Sequence, residues 1–232
     1  MKTKSFHATC QALIFLSVSL ASSTLYANTI LDFEDPLPGG LVAQSFAQDS
    51  FVPDTQKVSN HYLNQGVVIS DAAIVALGVG HAASGSNGLA GLSSGNLVDY
   101  DIPVNFSFYL PSDISSKALT NYFAYAPDLA GGSGNIVTIS GYDVSGNLLG
   151  QSSYTETGTF NSLLTLSGIG LFHSVTIDQT LFNRYDGGIG IDLVQYGDLV
   201  AAPVPEPDAY VMMLMGISIM GFVVRRRRNK NS

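Results

Sequence analysis

The alternation of apolar and polar residues in the middle of the chain constrains the fold more than any other feature. Residues 104–110 (VNFSFYL) place four apolar side chains on one face and smaller or polar side chains on the other. This pattern is typical of a strand with one buried face. Residues 136–142 and 148–154 show related patterns, and the turn-forming residues 143–147 (DVSGN) lie between them. We therefore predict that these two strands form a β-hairpin.

Shorter strand patterns recur along the rest of residues 28–200. No long stretch of this region shows the 3.6-residue apolar period, with capping residues, of an amphipathic helix. About ten strands, with turns at intervals of about ten residues, are typical of an antiparallel β-sandwich. We therefore predict an all-β domain. Its other candidate strands are residues 30–33, 41–46, 66–70, 73–79, 89–92, 118–125, 163–166, 173–177 and 189–193.

The charge of the chain is unevenly distributed. The whole chain has a net charge of −8, but residues 28–204 contain only Lys57, Lys117 and Arg184 against sixteen acidic residues, a net charge of −13. A domain with three cations offers little to a phosphate backbone, so we expect no nucleic-acid binding. The apolar content of 46% excludes a disordered chain.

The N-terminal residues 1–27 have the organisation of a secretory signal peptide. Two lysines precede an apolar run at residues 12–21, and Ala27 ends a sequence suited to cleavage. Export machinery is therefore a predicted partner. Cleavage after Ala27 would remove Cys10, the only cysteine, so the mature protein would have no disulfide and no catalytic thiol.

The C-terminal residues 201–232 have three parts in a fixed order. A Pro-Glu-Pro tripeptide is followed by fifteen uncharged residues, 210–224, and then by four arginines. At roughly 1.5 Å per residue, this uncharged run makes a helix of about 22 Å, shorter than the roughly 30 Å hydrocarbon core of a bilayer. We predict a short transmembrane helix at 209–224, extended by snorkelling arginines that stay on the cytoplasmic side.

This tail resembles the PEP-CTERM sorting signal, a motif also catalogued as an ice-binding-protein C-terminal domain, a name that describes the tail only. The resemblance implies that an exosortase, a membrane-embedded transpeptidase-like enzyme, cuts near the Pro-Glu-Pro tripeptide. The body would then be released to the cell surface or to an extracellular matrix such as a biofilm. The alternative is a plain membrane anchor with a basic stop. The residues of the sorting motif are Pro205, Glu206, Pro207, Arg225, Arg226, Arg227 and Arg228.

The body is similar to the jelly-roll domains that PEP-CTERM proteins often carry. Residues 30–35 (ILDFED) have the form of their first strand, and residues 190–193 (GIDL) the form of their last. This similarity implies a galactose-binding-like or lectin-like sandwich that binds glycans or partner proteins. Ice binding is a third hypothesis, but it calls for a flat, regular threonine-rich face, and the sequence shows no such repeat.

The motifs of the sequence favour a protein that is not an enzyme. The chain has no His-Glu-x-x-His zinc motif and no phosphate-binding loop. The histidines of the body, His61, His81 and His173, are far apart in sequence. The alternative is a hydrolase of extracellular polysaccharide that uses a carboxylate pair, because the separation such a pair requires is spatial and is not visible in sequence.

Four carboxylates occur in the predicted first and last strands. Asp32, Glu34 and Asp35 end the first strand pattern, and Asp192 lies in the last. In a jelly roll these two strands can be neighbours, which would bring Asp192 close to the others. Oxygen ligands at strand ends suit calcium, so a structural calcium ion is one interpretation. The other is that the carboxylates are solvated or cap turns, since the usual Asp-x-Asp-x-Asp loop is absent.

Tyrosines give the hypothesis of glycan binding its support from individual residues. An exposed tyrosine can stack against a sugar ring and also offer a hydroxyl group. Ordinary core and cross-strand packing is the alternative for each of them. The tyrosines that fall in or beside predicted strands are Tyr109, Tyr122, Tyr125, Tyr142, Tyr154, Tyr185 and Tyr196.

Overall fold

The computed structural model describes residues 28–34, 36–45, 47–78, 82–127, 136–155, 163–180, 190–203 and 213–220. The predicted signal peptide and Ala27 lie outside these ranges, as do Asp35, His81, Tyr185 and all seven residues of the predicted sorting motif. The predictions that concern them stay predictions.

The described residues are mainly β-strands. The twelve strands are β1 (Thr29–Leu31), β2 (Lys57–Ser59), β3 (Val67–Ala76), β4 (Asn87–Gly91), β5 (Val104–Leu110), β6 (Asp113–Pro127), β7 (Ile136–Tyr142), β8 (Leu148–Thr155), β9 (Leu164–Phe172), β10 (Ser174–Thr180), β11 (Ile191–Tyr196) and β12 (Val200–Ala201). Three single 3₁₀ turns lie between them, at Pro38–Gly40, Asp54–Gln56 and Leu63–Gln65.

Every ladder between these strands is antiparallel, which confirms the predicted class of fold. The main hydrogen-bonded order is β12-β6-β11-β4-β3-β5-β10-β7-β8, with β1 on β11, β2 on β3 and β9 on β6. The long strand β6 also pairs with β5, so the sheet folds back on itself and encloses a sandwich-like core.

Aromatic side chains fill this core between its two sides. Phe106 and Phe108 alternate inward from β5, as the sequence predicts, and neither is exposed. The ring centroids of Phe106 and of Phe123 in β6 are 5.2 Å apart. Those of Phe108 and of Tyr196 in β11 are also 5.2 Å apart. Burying each such side chain contributes roughly 1.5–3 kcal/mol, so these rings are a main source of stability in a body without disulfides.

The predicted hairpin over β7 and β8 is confirmed. The carboxylate of Asp143 accepts hydrogen bonds from the backbone N–H groups of Ser145 and Asn147 at 2.8 and 2.9 Å, and from the Asn147 side chain at 2.8 Å. The bond from the Asn147 side chain is the main cause of the lowered pKa of Asp143.

Several strand predictions differ from the observed strands. The segments predicted at 66–70 and 73–79 meet in one strand, β3, which runs from Val67 to Ala76. Asp71, at a positive φ of 57°, marks the point where this strand changes partner from β5 to β4. Of the segment predicted at 41–46, the structure describes residues 41–45; these do not form a strand, and Gln44 makes an isolated bridge to Val75.

A side chain of β9 closes the gap beside the β7–β8 hairpin. Gly141 and Gly150 are directly opposite each other, and a Cβ atom on either would meet the side chain of Ile169 at less than its normal contact distance. The two glycines therefore leave the space that Ile169 occupies.

The described part of the predicted transmembrane helix is short. Residues 213–220 form an α-helix with exposed apolar side chains, among them Met213, Leu214 and Ile217. None of the helices within the described ranges has the length and apolar character needed to span a bilayer.

Candidate functional site

The first strand and the last long strand are neighbours, as the sequence suggested. β1 pairs with β11 in antiparallel register. Asp32 and Glu34 follow β1 directly, while Asp192 is the second residue of β11. Three of the four predicted residues therefore come to one edge of the fold. The carboxylates of Glu34 and Asp192 contact residues 84–87, whereas Asp32 contacts Ser84 through its backbone carbonyl and its own carboxylate accepts the backbone N–H of Glu34.

Asp192 has no solvent-exposed surface. Its Oδ1 accepts the backbone N–H of Leu193 at 2.6 Å, and its Oδ2 accepts that of Ser84 at 2.6 Å. The Ser84 hydroxyl lies 3.0 Å from Oδ1, 3.1 Å from Oδ2 and 3.1 Å from the carbonyl oxygen of Asp32. Its single proton serves one of these acceptors at a time. Ser84 thus joins the first and last strands.

Glu34 holds the same segment from the other side. Its Oε1 accepts the backbone N–H groups of Ser86 and Asn87 at 2.9 and 2.8 Å. Gly85, between these donors and Ser84, has a positive φ of 49°, and a Cβ atom there would collide with the Glu34 carboxylate. We call residues 84–87, together with the carboxylates of Glu34 and Asp192, the acidic clamp.

The electrostatics of the clamp centre on Asp192. Burial raises the pKa of this carboxyl to about 6, and the negative charge of Glu34 adds to the rise. Hydrogen bonds from Ser84 and Leu193 oppose it, because they stabilise the ionised form. Asp192 is therefore the carboxyl whose titration is expected to affect folding near neutral pH.

The backbone is strained on both sides of the clamp. Phe33 and Leu193 have positive φ angles of 57° and 46°, which are uncommon for residues with a side chain. The pairing of β11 with β6 shifts register between Asp192 and Gln195. Because of this irregularity Asp192 is buried beside Ile191, and Leu193 is not on the buried face as plain alternation predicts.

The predicted calcium site is not confirmed. Within the described ranges, no group of three or more His, Cys, Asp or Glu residues is arranged to hold a metal ion. The carboxylates of Glu34 and Asp192 accept backbone N–H groups instead. Since Asp35 lies outside the described residues, calcium binding by Asp32, Glu34, Asp35 and Asp192 stays a prediction.

The same contacts bear on the predicted carboxylate-pair hydrolase. A general acid must come within hydrogen-bond distance of the substrate oxygen. Asp192 has no surface through which to do so, and its oxygens are already paired. The clamp therefore has the contacts of a structural feature that holds the two ends of the domain together.

Two other features with catalytic connotations have structural explanations. His173 is buried, with Nδ1 2.9 Å from the carbonyl oxygen of Ala118, and burial lowers its pKa.

Residues 91–95 (GLSSG) match the Gly-x-Ser-x-Gly pattern of a hydrolase nucleophile. In a nucleophile elbow, a helix begins directly after the serine. Here Ser93 begins a tight turn instead, closed by a hydrogen bond from the Asn96 N–H to the Ser93 carbonyl oxygen, so the segment does not have the structure of an elbow.

The six predicted tyrosines that the structure describes divide into two groups. Tyr125 and Tyr196 are fully buried, so neither is available to a sugar ring, which corrects the prediction for these two. The hydroxyl of Tyr196 donates to the carbonyl oxygen of Gln65 at 2.6 Å. The half-buried group is Tyr109, Tyr122, Tyr142 and Tyr154.

The chain leaves the sheet at β12. Val200 and Ala201 pair with β6, and the backbone N–H of Ala202 donates to the carbonyl oxygen of Lys117 at 2.9 Å. Pro203 follows and lines a pocket of about 370 Å³ with the start of β6 and Val144. No sequence pattern marks this pocket, since it depends on the docking of β12.

Comparison with known proteins identifies a sequence motif and several distant structural similarities, including the following two. The crystal structure of a DUF4465 family protein from Bacteroides caccae ATCC 43185 is similar at a TM-score of 0.38 and 15% identity, covering 75% of this chain and 99% of that one. The crystal structure of the enzymatically active domain of bacteriophage CBA120 tailspike protein 4 is similar at a TM-score of 0.31 and 16% sequence identity. That match covers 64% of this chain and 22% of the tailspike chain. Both TM-scores are too low for either similarity to bear on function.

No curated protein sequence matches the chain significantly. The tail does match a family, the PEP-CTERM protein-sorting motif, over residues 203–228. This range contains every residue that the sequence analysis assigned to the sorting signal. The match supports an exported protein, made as a membrane-anchored precursor and sorted by an exosortase. Residues 203–228 of this chain are a PEP-CTERM protein-sorting motif.

Proposed function

We propose that this protein is an exosortase substrate whose β-sandwich body works outside the cell. The signal peptide directs export, the tail holds the precursor in the membrane, and cleavage near Pro205–Pro207 releases the body to the cell surface or the extracellular matrix. There the body binds glycans or partner proteins and catalyses no reaction.

One observation carries the proposal: the sorting motif begins where the sheet ends. The match starts at Pro203, and the last hydrogen bond of the preceding segment to the sheet comes from Ala202. A processing enzyme that cuts within the motif would therefore leave all twelve strands intact. Sorting tail and body are separable by a single cleavage.

The chemistry of the tail suits this role. Proline fixes φ and lacks an N–H group, so Pro205 and Pro207 favour an extended segment that a protease cleft can hold. The four arginines at 225–228 favour the cytoplasmic side of the membrane. The Pro-Glu-Pro segment would then lie on the outer side, with the body.

The acidic body supports a role outside the cell. Its net charge of −13 over residues 28–204 favours solubility. Its histidines do not form a catalytic group in the described residues, since His61 and His173 each bond a separate backbone carbonyl. Binding is therefore better supported than catalysis.

The test is the mass and cell fraction of the protein. We expect a released product that lacks residues 1–27 and the tail beyond the Pro-Glu-Pro segment. In a variant with Arg225–Arg228 changed to alanine, we expect an uncleaved product that stays in the membrane fraction. The same positions changed to lysine provide the control, because that variant keeps the charge. Normal release from the alanine variant would refute the proposal.

A further inference from the structure

One outward face of the sandwich is rich in hydroxyl groups and has a single charged side chain, Asp178, among its described residues. It belongs to four neighbouring strands, β5, β10, β7 and β8. The alternate side chains of β5, β10 and β7 are buried in the core, whereas β8 lies at the end of the sheet order and has no buried residue. The residues at its centre are small and polar, and none of them is buried. We call this the hydroxyl face and define it by Asn105, Thr138, Ser140, Gln151, Ser153 and Thr176.

The strand register arranges these side chains in rows. Asn105 is opposite Thr176, Thr176 is opposite Ser140, and Ser140 is opposite Gln151, so one row crosses all four strands. Neighbouring strands lie roughly 4.8 Å apart, so the row spans roughly 14 Å. Ser107, Ser174 and Tyr142 form a second row beside it.

Hydrogen bonds between strands hold part of this arrangement in place. The Thr176 hydroxyl donates to the side-chain oxygen of Asn105 at 2.7 Å, and the hydroxyls of Thr138 and Ser153 lie 2.9 Å apart. A hydroxyl can donate one hydrogen bond and accept two, so each of these groups keeps bonding capacity for a ligand. The face is therefore a preorganised array of donors and acceptors.

The charge of the face selects among the classes of ligand. The described outward side chains of these four strands include one carboxylate, Asp178, and no lysine or arginine. An acidic polysaccharide would find no cation there and would be repelled by the acidic body. A protein partner would need an apolar centre for its interface, which the hydroxyl face lacks.

Aromatic groups lie at one end of the face. Tyr142 ends β7, and Tyr109 in β5 packs edge-on against His173, with ring centroids 5.5 Å apart. Both tyrosines are half-buried, so part of each remains accessible. Stacking on such a ring beside hydroxyl and amide groups is a combination that suits a sugar.

We propose that the hydroxyl face binds an uncharged polysaccharide. The sugar hydroxyls exchange hydrogen bonds with the two rows, and Tyr142 stacks against a ring at one end. The inference deepens the proposed function, because it names the glycan class and the face. Its physical content does not depend on how the tail is processed.

The experiment is affinity electrophoresis of the full chain in mild detergent, in native gels that contain one polysaccharide each. The neutral probes are dextran, amylose, mannan and a β-1,3-glucan, and the acidic probe is polygalacturonate. We expect at least one neutral polysaccharide to retard the protein and polygalacturonate to leave it unaffected. Retardation by polygalacturonate alone, or by no polysaccharide, would overturn the inference.

Two variants locate the binding surface. Ser140→Glu places a negative charge in the row that crosses all four strands. We expect it to weaken binding about tenfold or more, because a bound sugar would displace water from the carboxylate without offering a positive charge in its place. Thr165→Glu makes a similar change at an exposed position of β9, away from the face, and should bind as the original protein does. Equal retardation of both variants would overturn the assignment of the face, once unchanged melting temperatures show that both are folded.

The two proposals fail in different ways. Failure of tail processing would appear in the mass of the product and would not change retardation in the gels. Failure of the hydroxyl face to bind neutral glycans would appear in the gels and would not change the mass of the product.

Discussion

The backbone N–H of Ser84 lies 2.6 Å from Oδ2 of the buried Asp192, 108 residues further along the chain. This bond ties a glycine- and serine-rich segment to the last long strand. The hydroxyl of the same serine reaches the carbonyl oxygen of Asp32, just after the first strand. One residue of an irregular segment thus connects both ends of the domain, and the acidic clamp is expected to contribute to its stability.

Replacement of Asp192 by asparagine should destabilise the body. The two carboxylate oxygens accept two separate N–H groups, and asparagine offers only one oxygen, so one donor would face an amide NH₂ group. Leaving a buried donor unpaired costs about 1–3 kcal/mol. Thermal unfolding of the full chain checks this, with Asp178→Asn, at an exposed position of β10, as the control.

The same variant should also differ in its pH dependence. Because the pKa of Asp192 is raised from 3.8 to about 6, the folded state binds this proton more tightly than the unfolded state. The corresponding stability is fully present below the ordinary pKa and is lost as the pH rises through about 6. The deficit of Asp192→Asn should therefore be largest near pH 4 and should narrow towards pH 7. If the difference in melting temperature between the original protein and Asp192→Asn stayed constant from pH 4 to pH 7, it would contradict this assignment.

Replacement of Gly85 by alanine tests the other side of the clamp. The added Cβ would collide with the Glu34 carboxylate, and alanine would also be strained at a φ of 49°. We expect a loss of about 2 kcal/mol or more, because backbone strain and a displaced hydrogen-bond acceptor each cost at least about 1 kcal/mol. Gly146→Ala separates the two causes, since Gly146 also has a positive φ, 83°, but has no atom within 4 Å of the added Cβ. Equal losses in both variants would show that contact with Glu34 is unimportant.

A disulfide between β6 and β12 should slow cleavage of the tail. Only Pro203 and residue 204 separate the last sheet hydrogen bond, at Ala202, from Pro205. Two extended residues span only about 7 Å, so a protease that grips several residues has to lift β12 from β6. Ala118 and Ala201 are directly opposite each other, and Ala118→Cys with Ala201→Cys would prevent this movement.

Rates of tail removal under oxidising and reducing conditions provide the measurement. Reduction should restore normal processing. A second cysteine pair, Thr138→Cys with Ser153→Cys, joins β7 to β8 at directly opposite positions far from the tail in the sheet order, and should not affect it. Unchanged cleavage of the oxidised Ala118–Ala201 pair would show that β12 stays docked during processing.

Calcium binding by Asp32, Glu34, Asp35 and Asp192 can be tested by melting the full chain with a chelator and with millimolar calcium. If the ion bridges the first and last strands, calcium should raise the melting temperature, since a ligand bound only to the folded state stabilises it. Asp192→Asn should reduce the rise. An identical melting temperature in both solutions would end the calcium interpretation.

Much of the fold was predictable from short-range patterns. β5 and β7 were predicted with their observed ends, because a strand with one buried face must alternate and because glycine, aspartate and asparagine mark its turns. The predictions were less accurate where one residue leaves regular geometry. Asp71 in β3 and Leu193 in β11 have positive φ angles, and no pattern of hydrophobicity encodes such a change.

The candidate site was only partly predictable. The gathering of Asp32, Glu34 and Asp192 followed from the expected pairing of the first and last strands. The partners of these carboxylates did not follow, since residues 84–87 come from a glycine- and serine-rich segment with no strand alternation before Asn87. Tyr125 and Tyr196 are buried, which period-two alternation alone could not assign. Residues 123–127 of β6 are buried on both faces, and the pairing of β11 shifts register before Tyr196.

The amino-acid sequence by itself determined the class of fold and the sorting of the protein. Alternation is a local property, and the sorting motif is contiguous, so both are visible without a structure. Only the tertiary structure decided which side chains meet across long separations. It paired Ser84 with Asp192, docked β12 beside Lys117, and aligned Asn105, Thr176, Ser140 and Gln151 in one row. These relationships depend on register and strand order, which are set by packing of the whole core.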